Sequence, residues 1–281
     1  MNKQKKKENN KRNIFIYILF FISLLFLYGY YIEPNNLSIK EYKIENKNIP
    51  DSFDGLKIIH ISDIHYKSTV DNTYLKKIVK LINKQNPDIV IFTGDFLDKR
   101  FTYSNKEIEE AKKELNKINS TLGNFAVSGN HDIINNPESF KNIFNENFTI
   151  LENEEKLIYY KESTPISLVG FSDALETKVN YEILEKENNY FRFIMLHEPD
   201  EYEKIKEYDF DILFSGHSHN GQVRLPLIGT IYTPVGSKKY YQEYYKLDNR
   251  EIFISNGIGT SGLDVRFLSS PSINLYRIYA Y

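Results

Sequence analysis

Leu56-Lys57-Ile58-Ile59-His60-Ile61-Ser62-Asp63-Ile64-His65 is an apolar run that closes on an acid and an imidazole. Its length and β-branched content read as a strand with a polar tip. From Asn72 to Gln85, Leu75, Ile78, Val79 and Ile82 then recur at helical spacing. A second strand, Asp88-Ile89-Val90-Ile91-Phe92, ends at Gly94-Asp95, and a charged helix is expected from about Lys106 to Ile118. The third strand, Asn124-Phe125-Ala126-Val127-Ser128, ends at Gly129-Asn130-His131-Asp132. Strand, polar tip and helix in alternation mark an α/β fold with parallel strands, whose carboxyl ends converge on one crevice.

Further along, strands are expected over 149–151, 156–161 and 166–169, with a helix over 181–186. Phe191 to Leu196 is a strand ending at His197-Glu198-Pro199, and Asp211 to Phe214 one ending at Ser215-Gly216-His217-Ser218-His219. Short β segments over 222–225, 230–232, 240–246, 251–254 and 273–281 complete the chain. With no internal repeat, the pattern predicts two packed sheets flanked by helices.

The N-terminus is of another kind. Lys3, Lys5, Lys6, Lys7, Lys11 and Arg12 crowd the first dozen residues against Glu8 alone, forming a basic cytoplasmic tail over 1–13. An unbroken apolar run over 14–32 follows, and its ~19 residues suffice to cross a hydrocarbon core of about 30 Å as a helix. Basic residues before the span and none just after it predict a cytoplasmic N-terminus and an extracytoplasmic remainder, with Tyr28, Tyr30 and Tyr31 at the far interface. No small-x-small site follows the run, so an uncleaved signal anchor is expected rather than a cleaved peptide. The segment also lacks the polar face of a surface helix. Residues 33–50 read as a linker and leading strand, with Leu37 to Ile44 alternating, and 51–281 as one domain.

Cysteine is absent, which excludes disulfides, thiol catalysis and Cys-ligated zinc. Beyond the basic tail the chain is net acidic, which argues against nucleic acid as a partner. Five of the six histidines stand on strand tips, in the company of Asp63, Asp95 and Asn130. His60 has the opposite strand parity to Asp63 and should point away as a packed residue. Were the backbone extended, Asp63 and His65 would share a face, as would His217 and His219, whose roots would lie roughly 6–7 Å apart. Asp95 has two oxygens with which to bridge cations ~3.5–4 Å apart, and Asn130 offers a neutral carbonyl. Such a set suits two divalent metal ions of the Mn2+, Fe2+ or Zn2+ type. Taken singly, Asp63 and Asp95 read equally well as helix caps, and His197 as a turn residue.

Together, Asp63-x-His65, Gly94-Asp95-x-x-Asp98, Gly129-Asn130-His131-Asp132, His197 and Gly216-His217-x-His219 resemble the calcineurin-like metallophosphoesterase family, in its order and spacing. The later segments 220–226 and 256–260, with Arg224 and Arg266, are similar to its membrane-associated or exported bacterial branch and are candidates to border the substrate pocket, while Arg224 reads equally well as a surface salt-bridge partner. The resemblance implies a four-layer αββα sandwich, here preceded by one transmembrane helix. It implies that Asp63, His65, Asp95 and His219 hold one metal, and Asp95, Asn130, His197 and His217 the other. His131 would face the substrate, oriented by Asp98, and Ser218 would point away with little consequence. Asp132 stands where the family often has Glu. The implied activity is hydrolysis of a phosphate ester by a bridging hydroxide. The anchor suggests a membrane-proximal or lipid-linked substrate, such as a UDP-diacylglucosamine-type pyrophosphate or a cell-wall phosphodiester. The alternative is a non-catalytic binding or scaffold module on the cell surface that keeps its metals as a clamp.

Overall fold

A computed structural model of the chain describes residues 2–161, 164–186 and 189–281, with side chains from residue 10 onward. The basic-tail reading therefore lies in part outside the described residues. Helix α1 (Asn2–Leu27) passes without a break into a π-turn (Tyr28–Ile32) and a 3-10 turn (Glu33–Asn35). Residues 10–35 are long and apolar enough to cross a membrane and are almost wholly exposed.

The strands are β1 (Ser38–Glu45), β2 (Lys57–Ile61), β3 (Ile89–Thr93), β4 (Gly123–Val127), β5 (Thr149–Ile150), β6 (Glu154–Ile158), β7 (Ile166–Gly170), β8 (Arg192–Met195), β9 (Ile212–Ser215), β10 (Arg224–Leu225), β11 (Gly229–Thr230), β12 (Tyr244–Leu247), β13 (Arg250–Ile254) and β14 (Ser272–Tyr279). One six-stranded sheet runs β1-β14-β2-β3-β4-β5, and a second runs β12-β13-β9-β8-β7-β6. β2 to β5 are parallel, as are β7, β8, β9 and β13. The last strand, β14, inserts antiparallel to β2 and parallel to β1.

Alternation along the strands makes the layers. Ile58, Ile89, Ile91, Phe125 and Val127 face inward onto Phe193, Met195, Ile212 and Phe214 of the second sheet. Their neighbours Ile59, Ile61, Val90, Phe92 and Ala126 face outward, under the helices. There α2 (Asn72–Lys84) is capped by Asp71, which accepts from the Tyr74 N–H at 2.7 Å, and α3 (Asn105–Leu115) by a reciprocal Ser104/Glu107 box. Leu75, Ile78, Val79 and Ile82 are the buried face of α2, as their spacing predicts.

The second sheet's outer layer is thinner, built from a four-residue helix and 3-10 turns, with Ile205 and Leu184 under them. The helix expected over 181–186 is one of these turns (Tyr181–Glu185). Sequence reasoning missed α4 (Asn130–Asn135) and α5 (Pro137–Phe144); in the latter, Asn136 caps, Pro137 opens, and Phe140, Ile143 and Phe144 pack inward. The short helix of the second outer layer is α6 (Tyr202–Ile205).

Candidate metal centre

The strand tips do not stay extended. Asp63 (φ 50°), His65 (φ 43°), Asp95 (φ 59°), His217 (φ 65°) and His219 (φ 50°) all lie in the left-handed region, which is costly for any residue with a Cβ. Neighbouring tips hold them there: the N–H of Asp63 donates to Gly94 O at 2.9 Å and that of His65 to Asp95 O at 3.0 Å. The His217 N–H donates to the Asp63 carboxylate at 3.0 Å. His217 and His219 therefore do not share a face, as an extended tip would require, because the turn sends their imidazoles in different directions.

His219 joins Asp63 and His65, its Nε2 lying 3.1 Å from His65 Nε2 and 3.4 Å from Asp63 Oδ1. His217 instead meets His197, Nδ1 to Nε2, at 3.2 Å. Between the two groups stands Asp95, whose Oδ2 is 3.6 Å from His65 Nε2 and 3.2 Å from His197 Nε2. In each of the triads Asp63/His65/His219, His65/Asp95/His131 and Asp95/His197/His217, donor atoms lie within 4.8 Å of one another. Gly94 makes room: a Cβ there would come 2.6 Å from His197 Nδ1. The Gly94 φ of 95° also suits a glycine.

Carbonyl partners fix the imidazole tautomers, since a carbonyl only accepts. His197 Nδ1–H donates to Thr93 O at 2.6 Å, which turns Nε2 toward Asp95. His217 Nε2–H donates to Val235 O at 2.7 Å, leaving Nδ1 free. Burial pushes His65 and His217 down to about 3 and His219 well below its ordinary value, so these rings are neutral, the form that binds a cation. Burial also pushes Asp63 up to about 6, a penalty on its charged form that a cation would offset. His197 moves the other way: burial lowers it, but the adjacent Asp95 carboxylate outweighs that and raises it.

The donors fit divalent cations on a further ground. Asn130 Oδ1 is buried without a hydrogen-bond partner, an arrangement that proteins tolerate mainly at functional sites. All donors are oxygen or nitrogen, which suits hard to borderline ions.

His131 lines the cleft above this cluster, with Nδ1 3.6 Å from Asp98 Oδ1. Burial lowers its proton affinity, but Asp95 and Asp98 outweigh it and raise the pKa above the usual histidine value. Asp98 is fully buried and also meets His65 Nδ1 at 3.5 Å. His60 is packed away from the cluster, its Nε2 2.7 Å from Thr93 Oγ1.

Three roles escaped sequence reasoning. Arg100 clamps Asp98 through Nε and Nη2, at 3.0 and 2.7 Å, and reaches Gly262 O at 2.7 Å. Asp132 accepts from the N–H groups of Asp95, Leu97 and Gly129 at 2.8, 2.8 and 3.0 Å, tying two tips together. An acid three residues after a glycine that opens a helix was the available signal. Ser218, expected to matter little, donates to Tyr241 O at 3.0 Å and accepts from the Asn220 N–H at 3.1 Å, which fixes the turn between the two imidazoles.

The cleft over the cluster has a volume of about 460 Å³ and is walled by Asn130, His131, His217, Gln222, Tyr232 and Val235 among others. Of the segments expected to border it, only Gly221 and Gln222 do so. Arg224 is turned to Asn220 Oδ1 and Thr230 Oγ1. Arg266 is fully buried, where it donates to the carbonyls of Asn256, Gly259 and Ser269.

The sequence profile of the calcineurin-like phosphoesterases matches residues 56–221, which span every tip described above. The metallophosphoesterase YkuE of Bacillus subtilis is 30% identical over 89% of this chain and 89% of its own length. The UDP-2,3-diacylglucosamine pyrophosphatase LpxG of Chlamydia muridarum is 26% identical over 90% of this chain and 93% of its own. The phosphodiesterase YaeI of Escherichia coli is 26% identical over 90% and 92%. With profile, relatives and a four-layer fold in agreement, the chain belongs to the calcineurin-like phosphoesterases and is a hydrolase of phosphoester bonds.

Proposed function

We propose that the chain is a membrane-anchored phosphoesterase that works with two divalent cations, of the Mn2+, Fe2+ or Zn2+ type. The observation that carries this reading is the position of Asp95, whose carboxylate stands between two separate sets of buried imidazoles. Asp63, His65, Asp95 and His219 would hold one ion, and Asp95, Asn130, His197 and His217 the other. When bound, such ions polarise phosphoryl oxygens and acidify a water to a nucleophile at neutral pH. His131 faces the phosphoryl group from the cleft and gives its proton to the leaving oxygen, a task for which its raised pKa suits it. Asp98, clamped by Arg100, holds that ring in place. The anchor orientation follows from the basic residues before the span, with the catalytic domain outside the cell membrane.

A lipid-linked phosphoester or pyrophosphate is the favoured substrate, because the anchor confines the cleft near a bilayer and LpxG, by its name, cleaves a diacylated nucleotide sugar. The test takes the full chain in detergent, stripped of metal and reconstituted with Mn2+, against aryl phosphomonoesters, aryl phosphodiesters and lipid pyrophosphates. Turnover that depends on added metal is the expected result. No hydrolysis of any of these under any divalent ion would leave the metal-clamped binding module as the better account.

A further inference from the structure

Between Arg224 and Lys238 the chain carries no charge, and it exposes its largest side chains. Leu227, at the tip of the β10–β11 hairpin, is fully exposed, and Ile228, Ile231, Tyr232, Val235 and the nearby Leu263 are each 59% to 73% exposed. A soluble surface seldom concentrates so much apolar area in one stretch. Lys238 borders it, with its ammonium 4.9 Å from the Tyr232 ring, the arrangement in which a basic head stays wet beside an apolar body.

This rim is joined to the end of the apolar helix. The Arg266 N–H donates to Gly29 O at 2.9 Å, and a Cβ on Gly29 would lie 2.9 Å from Arg266 O, so the two backbones touch. Tyr28 packs edge-on against Phe267. Glu33, buried, accepts from the Ser269 N–H at 2.8 Å. Phe267 in turn bridges to Val223, accepting from the Arg224 N–H at 2.8 Å, and the Ile231 N–H donates to Val223 O at 3.3 Å. Gln222 ties the same strand to Leu263 O at 2.8 Å. A continuous set of hydrogen bonds thus runs from the helix end to the hairpin, at the level where α1 would leave the hydrocarbon. The rim also walls the cleft: Tyr232 and Val235 line it, and Val235 O accepts from His217.

We propose that the hairpin and the Leu263 loop dip into the bilayer that α1 crosses, about 5–10 Å into the headgroup boundary, and hold the mouth of the cleft against the lipid. The cleft then receives the phosphate of an amphiphile whose acyl chains remain in the leaflet. The inference rests on the proposed anchor, but it does not depend on turnover.

The natural chain has no cysteine, so single-cysteine variants report one site each. The full chain carrying Leu227→Cys, Leu263→Cys, Ile22→Cys or Tyr159→Cys, labelled with an environment-sensitive fluorophore, is reconstituted into phosphatidylethanolamine/phosphatidylglycerol vesicles. Tyr159, exposed just beyond β6, is the aqueous control. Labels at 227 and 263 are expected to lose emission to a quencher attached near the acyl carbonyl and to resist aqueous iodide, like the label at 22 and unlike that at 159. Iodide quenching at 227 and 263 equal to that at 159, with 22 still lipid-quenched, would overturn the rim and leave the anchor standing. Shielding from both quenchers would mean a protein partner and overturn it as well. An iodide-quenched label at 22 would overturn both rim and anchor, while metal-dependent hydrolysis of an aryl phosphate by the same sample would still report on the hydrolase reading.

Discussion

The two sheets meet at one centre with different chemistry. Tips of the first sheet bring the oxygens, Asp63, Asp95, Asn130 and the supporting Asp98, along with His65 and His131. Tips of the second bring only imidazoles to the cluster, His197, His217 and His219. That sheet has buried acids at its tips too, but they are turned elsewhere. Asp173 accepts from the N–H groups of Leu175 and Glu176 at 3.1 and 2.7 Å, and Glu198 from that of Ala174 at 3.0 Å. One sheet therefore supplies the carboxylates of the cluster, and the other closes it with imidazoles. The lesson is that residues of one type can belong to different work according to which strand carries them.

The contrast breaks most sharply at Asp95. Asp95→Asn keeps the shape but removes the charge shared by both groups, so hydrolysis should fall below detection while the circular dichroism spectrum is unchanged. Full activity would remove the bridging role. Next comes His131, which the account assigns to proton delivery and not to metal. His131→Ala should lower kcat by about 10²–10⁴-fold at unchanged metal content. Loss of metal from that variant would place His131 among the ligands.

Asp132 supports the first sheet's tips from behind, so Asp132→Asn should weaken metal affinity by about 10–100-fold, read by competition with a chelating dye. The smallest effect is expected far from the centre. Asp211 directly precedes β9 at the opposite end of the second sheet, and burial pushes it up to about 6, although it accepts from the Arg192 N–H at 2.8 Å. A folded pKa above the unfolded value favours the folded state at low pH, and that contribution is lost as pH rises through about 6. Asp211→Asn should therefore gain stability relative to the natural chain above about pH 6, and not below about pH 4, in denaturant titrations. A pH-independent difference would contradict this.

Much of the first sheet was legible because its apolar runs stop at polar tips, Ser62-Asp63, Gly94-Asp95 and Gly129-Asn130, and a strand that stops so abruptly leaves little choice of where its polar residues go. The residues that gather at the centre were marked by the concentration of histidine at those tips. What the sequence hid was set by distant partners. The left-handed turns at Asp63, Asp95 and His217 depend on hydrogen bonds between tips separated by up to 154 positions. β14 enters the first sheet from the far end of the chain, so no local pattern marks its direction. Nothing local marks Arg100, whose role depends on the Asp98 carboxylate that it clamps, and the hairpin's exposure is a property of the folded surface.

The central claim is that one shared carboxylate holds two distinct cation sites, and metal stoichiometry tests it most directly. Inductively coupled plasma mass spectrometry of the purified full chain, with His217→Ala and His219→Ala beside it, counts ions per protein. The account predicts two ions in the natural chain, one in each variant, and a different metal preference in what the two variants retain. A single ion in the natural chain, or two variants that lose the same ion, would contradict it.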